Sequence, residues 1–351
     1  MKTQGNFTLG LLLVASAISS APARADTARI PVTFGVTNHN DSKFPCPVDG
    51  KSYTLTGHIV APADVLDDPS PALTIYLHGA VLGEALYSFP LPGYDFSEAL
   101  ADRGHASLVI NRIGYGAGEV PNGFDVCIGS DAATVHQVIA RLRSPSPGDP
   151  WPAFGKIAVG GLSAGGPVAE VLAYSYPGDV EALFLHEWAD DAVAPLVLDD
   201  NAPGLDIAAA KLGATCAQGG EPKHDGAPAG YSYLARDDPF IFFHDPEPEM
   251  LAKLAELQER DPCGTEGTVP PAMAIDPSYL GEVTIPVLLV YGEHGFFERP
   301  AGHMQAARFG GSSDVTVAYV PDAGHALLLE KLPVRERFWN LQSAWLAARG
   351  F

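Results

Sequence analysis

Lys156-Ile-Ala-Val-Gly-Gly-Leu-Ser-Ala-Gly-Gly-Pro-Val-Ala-Glu-Val-Leu-Ala173 passes from a short apolar run into a helical pattern through a turn crowded with glycine. Ile157–Val159 reads as a buried strand and Pro167–Tyr174 as the helix that follows it. Between them stands Gly161-Leu-Ser163-Ala-Gly165. On composition alone a Gly-x-Ser-x-Gly arises by chance in roughly one chain in five of this length, so its position carries the argument. A serine on a strand-to-helix turn needs a sharply bent, strained backbone. Gly161 and Gly165, with Gly160 and Gly166 beside them, leave room for that bend. The Ser163 hydroxyl is then presented at the end of a sheet, at the N-terminus of a helix whose dipole favours developing negative charge.

Outward from this turn, apolar strands alternate with helical patterns, as in a parallel sheet with crossover helices. Ala72–Leu77, Ser107–Ile110, Ala182–Leu185, Val287–Tyr291 and Val315–Val320 read as further buried strands. Phe96–Ala101 and Ser130–Leu142 have helical spacing. Arg335–Arg349 places Phe338, Leu341, Trp345 and Leu346 on one helical face that can cover the sheet. Arg29–Val36 and Tyr53–Val60 alternate like antiparallel edge strands. One interval breaks the rhythm, because about a hundred residues separate Leu185 from Val287 where a crossover takes a few tens. It is rich in Pro, Gly and Asp, yet holds Phe240, Phe242, Phe243 and an amphipathic helix pattern at Glu249–Arg260. Those residues argue for a folded lid rather than a disordered insertion.

Leu77-His78-Gly79-Ala80 ends the first parallel strand, and Tyr319-Val-Pro-Asp-Ala-Gly-His325-Ala-Leu-Leu-Leu-Glu330 follows the last. With the serine turn, these motifs resemble the α/β-hydrolase family over nearly all of residues 50–351. The resemblance implies an α/β-hydrolase fold, a mostly parallel central sheet flanked by helices, with a cap inserted between the sixth and seventh strands. Residues 26–188 and 283–351 would form the core and 189–282 the cap. It also implies Ser163 as nucleophile, His325 as general base, and the backbone N–H groups of Ala80 and Ala164 as the oxyanion donors. His78 is read as a histidine that braces its loop.

The acid is the difficulty. The family usually places an aspartate a few residues beyond the strand written here Pro286-Val-Leu-Leu-Val-Tyr-Gly292. This chain continues Glu293-His294-Gly295, with glycine at the expected position. Without a carboxylate the histidine lacks the partner that fixes its tautomer, a loss of about 10⁴-fold in rate. Some family members carry the acid after the preceding strand, here Phe184-Leu-His-Glu187-Trp188. Glu187 is therefore the favoured acid, with Glu293, Asp190 and Asp191 as alternatives. His186-Glu187 begins a zinc-like pattern, but position 190 is Asp rather than His, so no metal is expected. Gly114, Gly116 and Gly118 suggest a dinucleotide loop whose third glycine falls one position early, so no nucleotide cofactor is expected either.

The 351 residues are 46% hydrophobic and 18% charged, ordinary for a folded protein. The formal net charge of -21 disfavours nucleic acid and anionic membranes as partners. Lys2, the apolar run Leu9–Ala15 and Ala23-Arg24-Ala25 have the layout of a secretory signal peptide over residues 1–25, and the apolar run is too short to span a bilayer. Its removal takes the charge to -23. Export makes Cys46, Cys127, Cys216 and Cys263 candidates for two disulfides. Three pairings are open; Cys46–Cys127 with Cys216–Cys263 is favoured because the second pair lies within one inserted segment. Trp188, Phe296 and Phe297, with the Phe240 cluster, either line an acyl pocket or pack the cap. These readings lead to the expectation of a secreted or periplasmic serine hydrolase acting on a small or medium neutral or apolar ester, without cofactor or stable membrane insertion. A lactonase, amidase or thioesterase, or a non-catalytic binding homologue, would share these features.

Overall fold

A computed structural model describes residues 26–190, 204–297 and 299–351. The expected leader and Asp191 lie outside the described residues. The strands are β1 (Thr27–Thr37), β2 (Ser52–Pro62), β3 (Ala72–Leu77), β4 (Ser107–Ile110), β5 (Lys156–Leu162), β6 (Ala182–His186), β7 (Tyr231–Ser232), β8 (Asp261–Pro262), β9 (Val287–Gly292) and β10 (Val315–Val320). Eight of them form one sheet in the order β1-β2-β4-β3-β5-β6-β9-β10. β2 runs antiparallel to both neighbours, and the strands from β4 through β10 pair in parallel. β4, β6 and β9 are buried at every residue. That explains their continuous apolar reading, since both faces of a parallel sheet are covered. β1 shows the half-exposed alternation of an edge strand.

The helices are α1 (Ala63–Leu66), α2 (Phe96–Ala101), α3 (Ile128–Arg143), α4 (Gly165–Ser175), α5 (Leu205–Ala217), α6 (Pro248–Leu257), α7 (Cys263–Ile275), α8 (Arg299–Arg308) and α9 (Val334–Ala347). From β3 the chain steps to one side through α2 into β4, then crosses back through α3 into β5 and onward through α4 into β6. Right-handed crossovers therefore put α2 on the face opposite α3 and α4. α9 joins α2, with the rings of Phe96 and Phe338 stacked at 5.6 Å. The reversal of strand order at β3 opens a crevice beyond the carboxyl ends of β3 and β5, the usual site for a ligand in such sheets.

The described part of the long interval between β6 and β9, the sixth and seventh strands of the main sheet, is folded. It carries α5, α6 and α7 and the small ribbon β7–β8. The helix expected at Glu249–Arg260 is α6, which stops at Leu257 because the chain leaves it to pair β8 with β7. α7 gives little sequence signal, since Pro270 and Pro271 lie inside it. Both favoured disulfides form, Cys46–Cys127 and Cys216–Cys263, and no free cysteine is found among the described residues. The second joins α5 to the first residue of α7. By the loop-closure argument, links across 81 and 47 residues are worth about 4 kcal/mol each. No helix of the described residues is long and apolar enough to cross a membrane.

Candidate active site

Ser163 follows β5 directly and takes φ +54°, a left-handed conformation that costs a serine about 1 kcal/mol or more. Its neighbours make the bend possible. A Cβ at Gly161 would lie 2.1 Å from the Gly165 carbonyl oxygen, and one at Gly165 would lie 2.2 Å from that of Leu77. The turn is pinned by the Ser163 N–H donating to the His186 carbonyl at 3.0 Å and the Gly166 N–H donating to the Ser163 carbonyl at 2.7 Å. Ala164 is the residue before α4, so its N–H belongs to the unsatisfied donors of a helix start.

His325 stands on the loop after β10 and is 3% exposed. Phe296 stacks on its ring at 3.8 Å. The loop is shaped by the buried Glu330 carboxylate, which accepts the N–H of Gly324 at 2.7 Å and of His244 at 2.9 Å. His325 Nδ1 lies 3.1 Å from Glu187 Oε2. Glu187 is fully buried, takes φ +49°, and accepts further hydrogen bonds from the N–H of Gly292 and from that of Phe296, the latter at 3.0 Å. A carboxylate held by backbone donors on one side and an imidazole on the other directs the Nδ1 proton to itself, leaving Nε2 as the basic lone pair. His325 Nε2 is buried and has no hydrogen-bond partner among the described residues.

The glycine at 295 now has a physical reading. A Cβ there would fall 2.2 and 2.4 Å from the two carboxylate oxygens of Glu187. The space that an aspartate at 295 would use is filled by a side chain arriving from β6. The alternatives go elsewhere. Glu293 is exposed, pairs with Arg299 at 3.0 Å and accepts the N–H of Asp322. Asp190 is buried beside Glu170 and Asp276 and accepts from Gln305 at 3.0 Å.

The loop after β3 lies over the serine, so that a Cβ on Gly79 would be 2.9 Å from Ser163 Cβ. Two residues that sequence reasoning missed set its shape. Buried Arg112 donates to the His78 carbonyl (3.1 Å), the Gly79 carbonyl (3.1 Å) and Asp131 (2.7 Å). Asp261, from the inserted segment, accepts the N–H of Val81 at 2.7 Å, where the backbone is at φ +78°. His78 Nε2 accepts the Arg112 N–H at 3.0 Å, so Nδ1 carries the proton and donates to the Gly79 carbonyl at 2.8 Å. Burial and then the neighbouring Arg112 charge hold His78 well below the usual histidine range, hence neutral. The loop-bracing role expected of it matches this geometry. In a trans peptide the carbonyl and the next N–H point oppositely. Two donors on the Gly79 carbonyl therefore turn the Ala80 N–H away from Arg112. No local pattern marked Arg112 or Asp261, whose partners are remote in sequence.

Ser163, Ala164, Ala80, Glu187 and His325 border one cavity of about 690 Å³. The inserted segment supplies much of its wall through Leu205, Leu212, Val269 and Met273. The aromatic residues divide: Trp188, Phe296 and Phe297 line this cavity, and Phe242 and Phe243 border a small adjoining one. Phe240 is 38% exposed and lines neither. The glycine loop near Gly116 turns its N–H to the Glu259 carboxylate at 3.0 Å, so that donor is occupied by the protein itself.

A mostly parallel eight-stranded sheet with an antiparallel second strand, bearing its serine on the turn after β5 and its histidine after the last strand, is the α/β-hydrolase fold. Solved structures agree. A thermophilic esterase from Thermogutta terrifontis is similar over 91% of this chain and all of its own, with TM-score 0.61 and 17% identity. A monoacylglycerol lipase from Paleococcus ferrophilus covers 79% of this chain and 94% of its own, at TM-score 0.56 and 16% identity. The peroxisomal alpha-beta-hydrolase of Saccharomyces cerevisiae covers 92% and 90%, at TM-score 0.55 and 14% identity. No protein-family model and no curated protein matches the sequence.

Proposed function

We propose that this chain is a serine hydrolase that cleaves carboxylic esters of small or medium neutral or apolar substrates. The observation that carries this reading is the His325–Glu187 contact of 3.1 Å, with Nε2 of the same ring unpartnered among the described residues and His325 and Ser163 bordering one cavity. In the proposed cycle His325 Nε2 accepts the Ser163 proton as Oγ attacks the ester carbonyl. Resting active sites often hold these two groups apart until substrate arrives. The Ala80 and Ala164 N–H groups receive the oxyanion, a contribution of about 3 kcal/mol per donor. The imidazolium, steadied by Glu187, protonates the leaving alcohol, and water activated by the same ring frees the acyl group. An esterase and a monoacylglycerol lipase among the similar folds support an ester as substrate. The segment 189–282 is the proposed cap, its described residues from Leu205 to Met273 walling the cavity, and the two disulfides favour the secreted or periplasmic setting.

A fluorophosphonate probe with a reporter tag tests the reading. Labelling of the folded wild type that disappears in Ser163→Ala is expected. Absence of labelling, or equal labelling of the variant, would overturn it.

A further inference from the structure

Two cavities meet at Ser163, and they differ greatly in size. Ala80, Ser163 and His325 border both. The larger, about 690 Å³, lies in the range of cavities that enclose a drug-sized molecule. The smaller measures about 30 Å³, the room of one or two water-sized groups. Its remaining walls are apolar. Val81, Leu82 and Leu86 come from the segment after β3, Leu329 from the loop after His325, and Phe242 and Leu254 from the inserted segment. Three of these walls are tied by backbone hydrogen bonds. The Val81 carbonyl accepts the Glu259 N–H at 2.8 Å, the Phe242 carbonyl accepts that of Ala326 at 2.8 Å, and the Leu329 N–H donates to the Ala326 carbonyl at 2.9 Å. Leu254 is a buried residue of α6. Walls packed and tied in this way resist widening, because an overlong group forces side chains off their rotamers or shifts the backbone.

In the proposed cycle the two halves of an ester cannot exchange places. The Ala80 and Ala164 N–H groups fix the carbonyl oxygen, Ser163 Oγ fixes the face of attack, and His325 Nε2 fixes the leaving oxygen. Each substituent is then left with a single direction. From the sizes and walls of the two cavities we infer that the substrate is a lopsided ester, with one substituent of about one or two carbon atoms and one bulky apolar substituent. Leu254 and Phe242 are the specificity-determining residues of the short side. The bulky side lies against Leu212, Val269, Met273 and Phe297. This rests on the hydrolase reading above and narrows it.

The test is a pair of homologous series in which one group R is methyl, ethyl, propyl or pentyl. In 2-naphthyl esters R sits on the acyl side; in alkyl esters of 6-phenylhexanoic acid it sits on the alkoxy side. In the wild type kcat/KM is expected to fall at least about tenfold from ethyl to pentyl in one series and to change less than about threefold in the other. The series that falls identifies the short side as acyl or alkoxy. In that series the pentyl-to-ethyl ratio should rise about tenfold in Leu254→Ala, which trims the wall side chain to a methyl, and should rise in Phe242→Leu as well. Both rates come from one preparation, so partial unfolding of a variant cancels from the ratio. A fall in neither series, or in both, overturns the inference, as does a ratio unchanged in both variants. If no ester of either series is hydrolysed, the hydrolase reading fails instead.

Discussion

Moving the carboxylate back across the site is the sharpest test of why residue 295 is glycine. In Gly295→Asp the new Cβ would fall 2.2 Å from Glu187 Oε1 and 2.4 Å from Oε2. By standard bond lengths an aspartate's oxygens lie about 2.4 Å from its own Cβ, so the two acids compete for one position. Gly295→Asp alone must displace Glu187 and break its bonds to the Gly292 and Phe296 N–H groups. Hydrogen bonds to a charged group are worth about 1.5–3 kcal/mol each, which puts the loss of stability at about 3–6 kcal/mol. Glu187→Gly loses the same two hydrogen bonds, but it leaves no displaced carboxylate to bury and glycine suits the observed φ of +49°, so it should remain folded more readily than Gly295→Asp, while kcat falls about 10⁴-fold. Combining Glu187→Gly with Gly295→Asp empties the position and refills it from β9. The double variant should recover at least tenfold in kcat over Glu187→Gly and a higher Tm than Gly295→Asp. Initial rates on p-nitrophenyl butyrate and thermal melts of all four proteins give the coupling directly. If Glu187→Gly keeps more than a tenth of wild-type kcat, or if the two losses simply multiply, the exchange of acids described here is refuted.

Arg112→Lys keeps a positive charge for Asp131 but loses the planar fork that spans the His78 and Gly79 carbonyls. Kinetics on the same ester should show kcat reduced about 10²-fold with KM nearly constant, and a matching loss in KM alone would argue against loop positioning. Glu293→Gln should leave kcat within about twofold, since that carboxylate is exposed and paired with Arg299; a drop of orders of magnitude would make it the acid. Asp276 is pushed up to about 8, by burial first, against the Tyr174 hydrogen bond and with the Asp190 charge adding. Its native pKa lies above the unfolded one, so its contribution to stability is full below pH 4 and is lost as pH rises through 8. Asp276→Asn should therefore raise Tm above that of the wild type at pH 8–9 and flatten the fall of Tm with pH, as read by thermal melts across pH 5–9.

Much of the fold was legible because its elements are local. Ile157–Val159, Pro167–Tyr174 and the flanking strands each announce themselves by period and by bounding glycines, and the structure lengthens them by only a few residues. The inserted segment was less legible. α7 carries two prolines, and the pairing that ends α6 joins residues about thirty apart in sequence. The site divides in the same way. Ser163 and His325 stand on turns whose sequence neighbours dictate their backbone, so pattern alone singles them out. The Arg112 and Asp261 bridges depend on side chains meeting from separate elements, and no window of sequence contains both partners.

The amino-acid order by itself determined the alternation of strand and helix, the strained serine turn and the histidine loop, because each depends on dihedral preferences and hydrophobic period within a dozen residues. Which carboxylate meets the imidazole was decided only in three dimensions. The sequence favoured Glu187 over Asp190 and Glu293 only through the family resemblance, since nothing local separates three carboxylates. Strand β6 lies beside β9, and a left-handed residue at its end aims Glu187 at the N–H groups of Gly292 and Phe296 and at His325, while the space above Gly295 stays open to receive it.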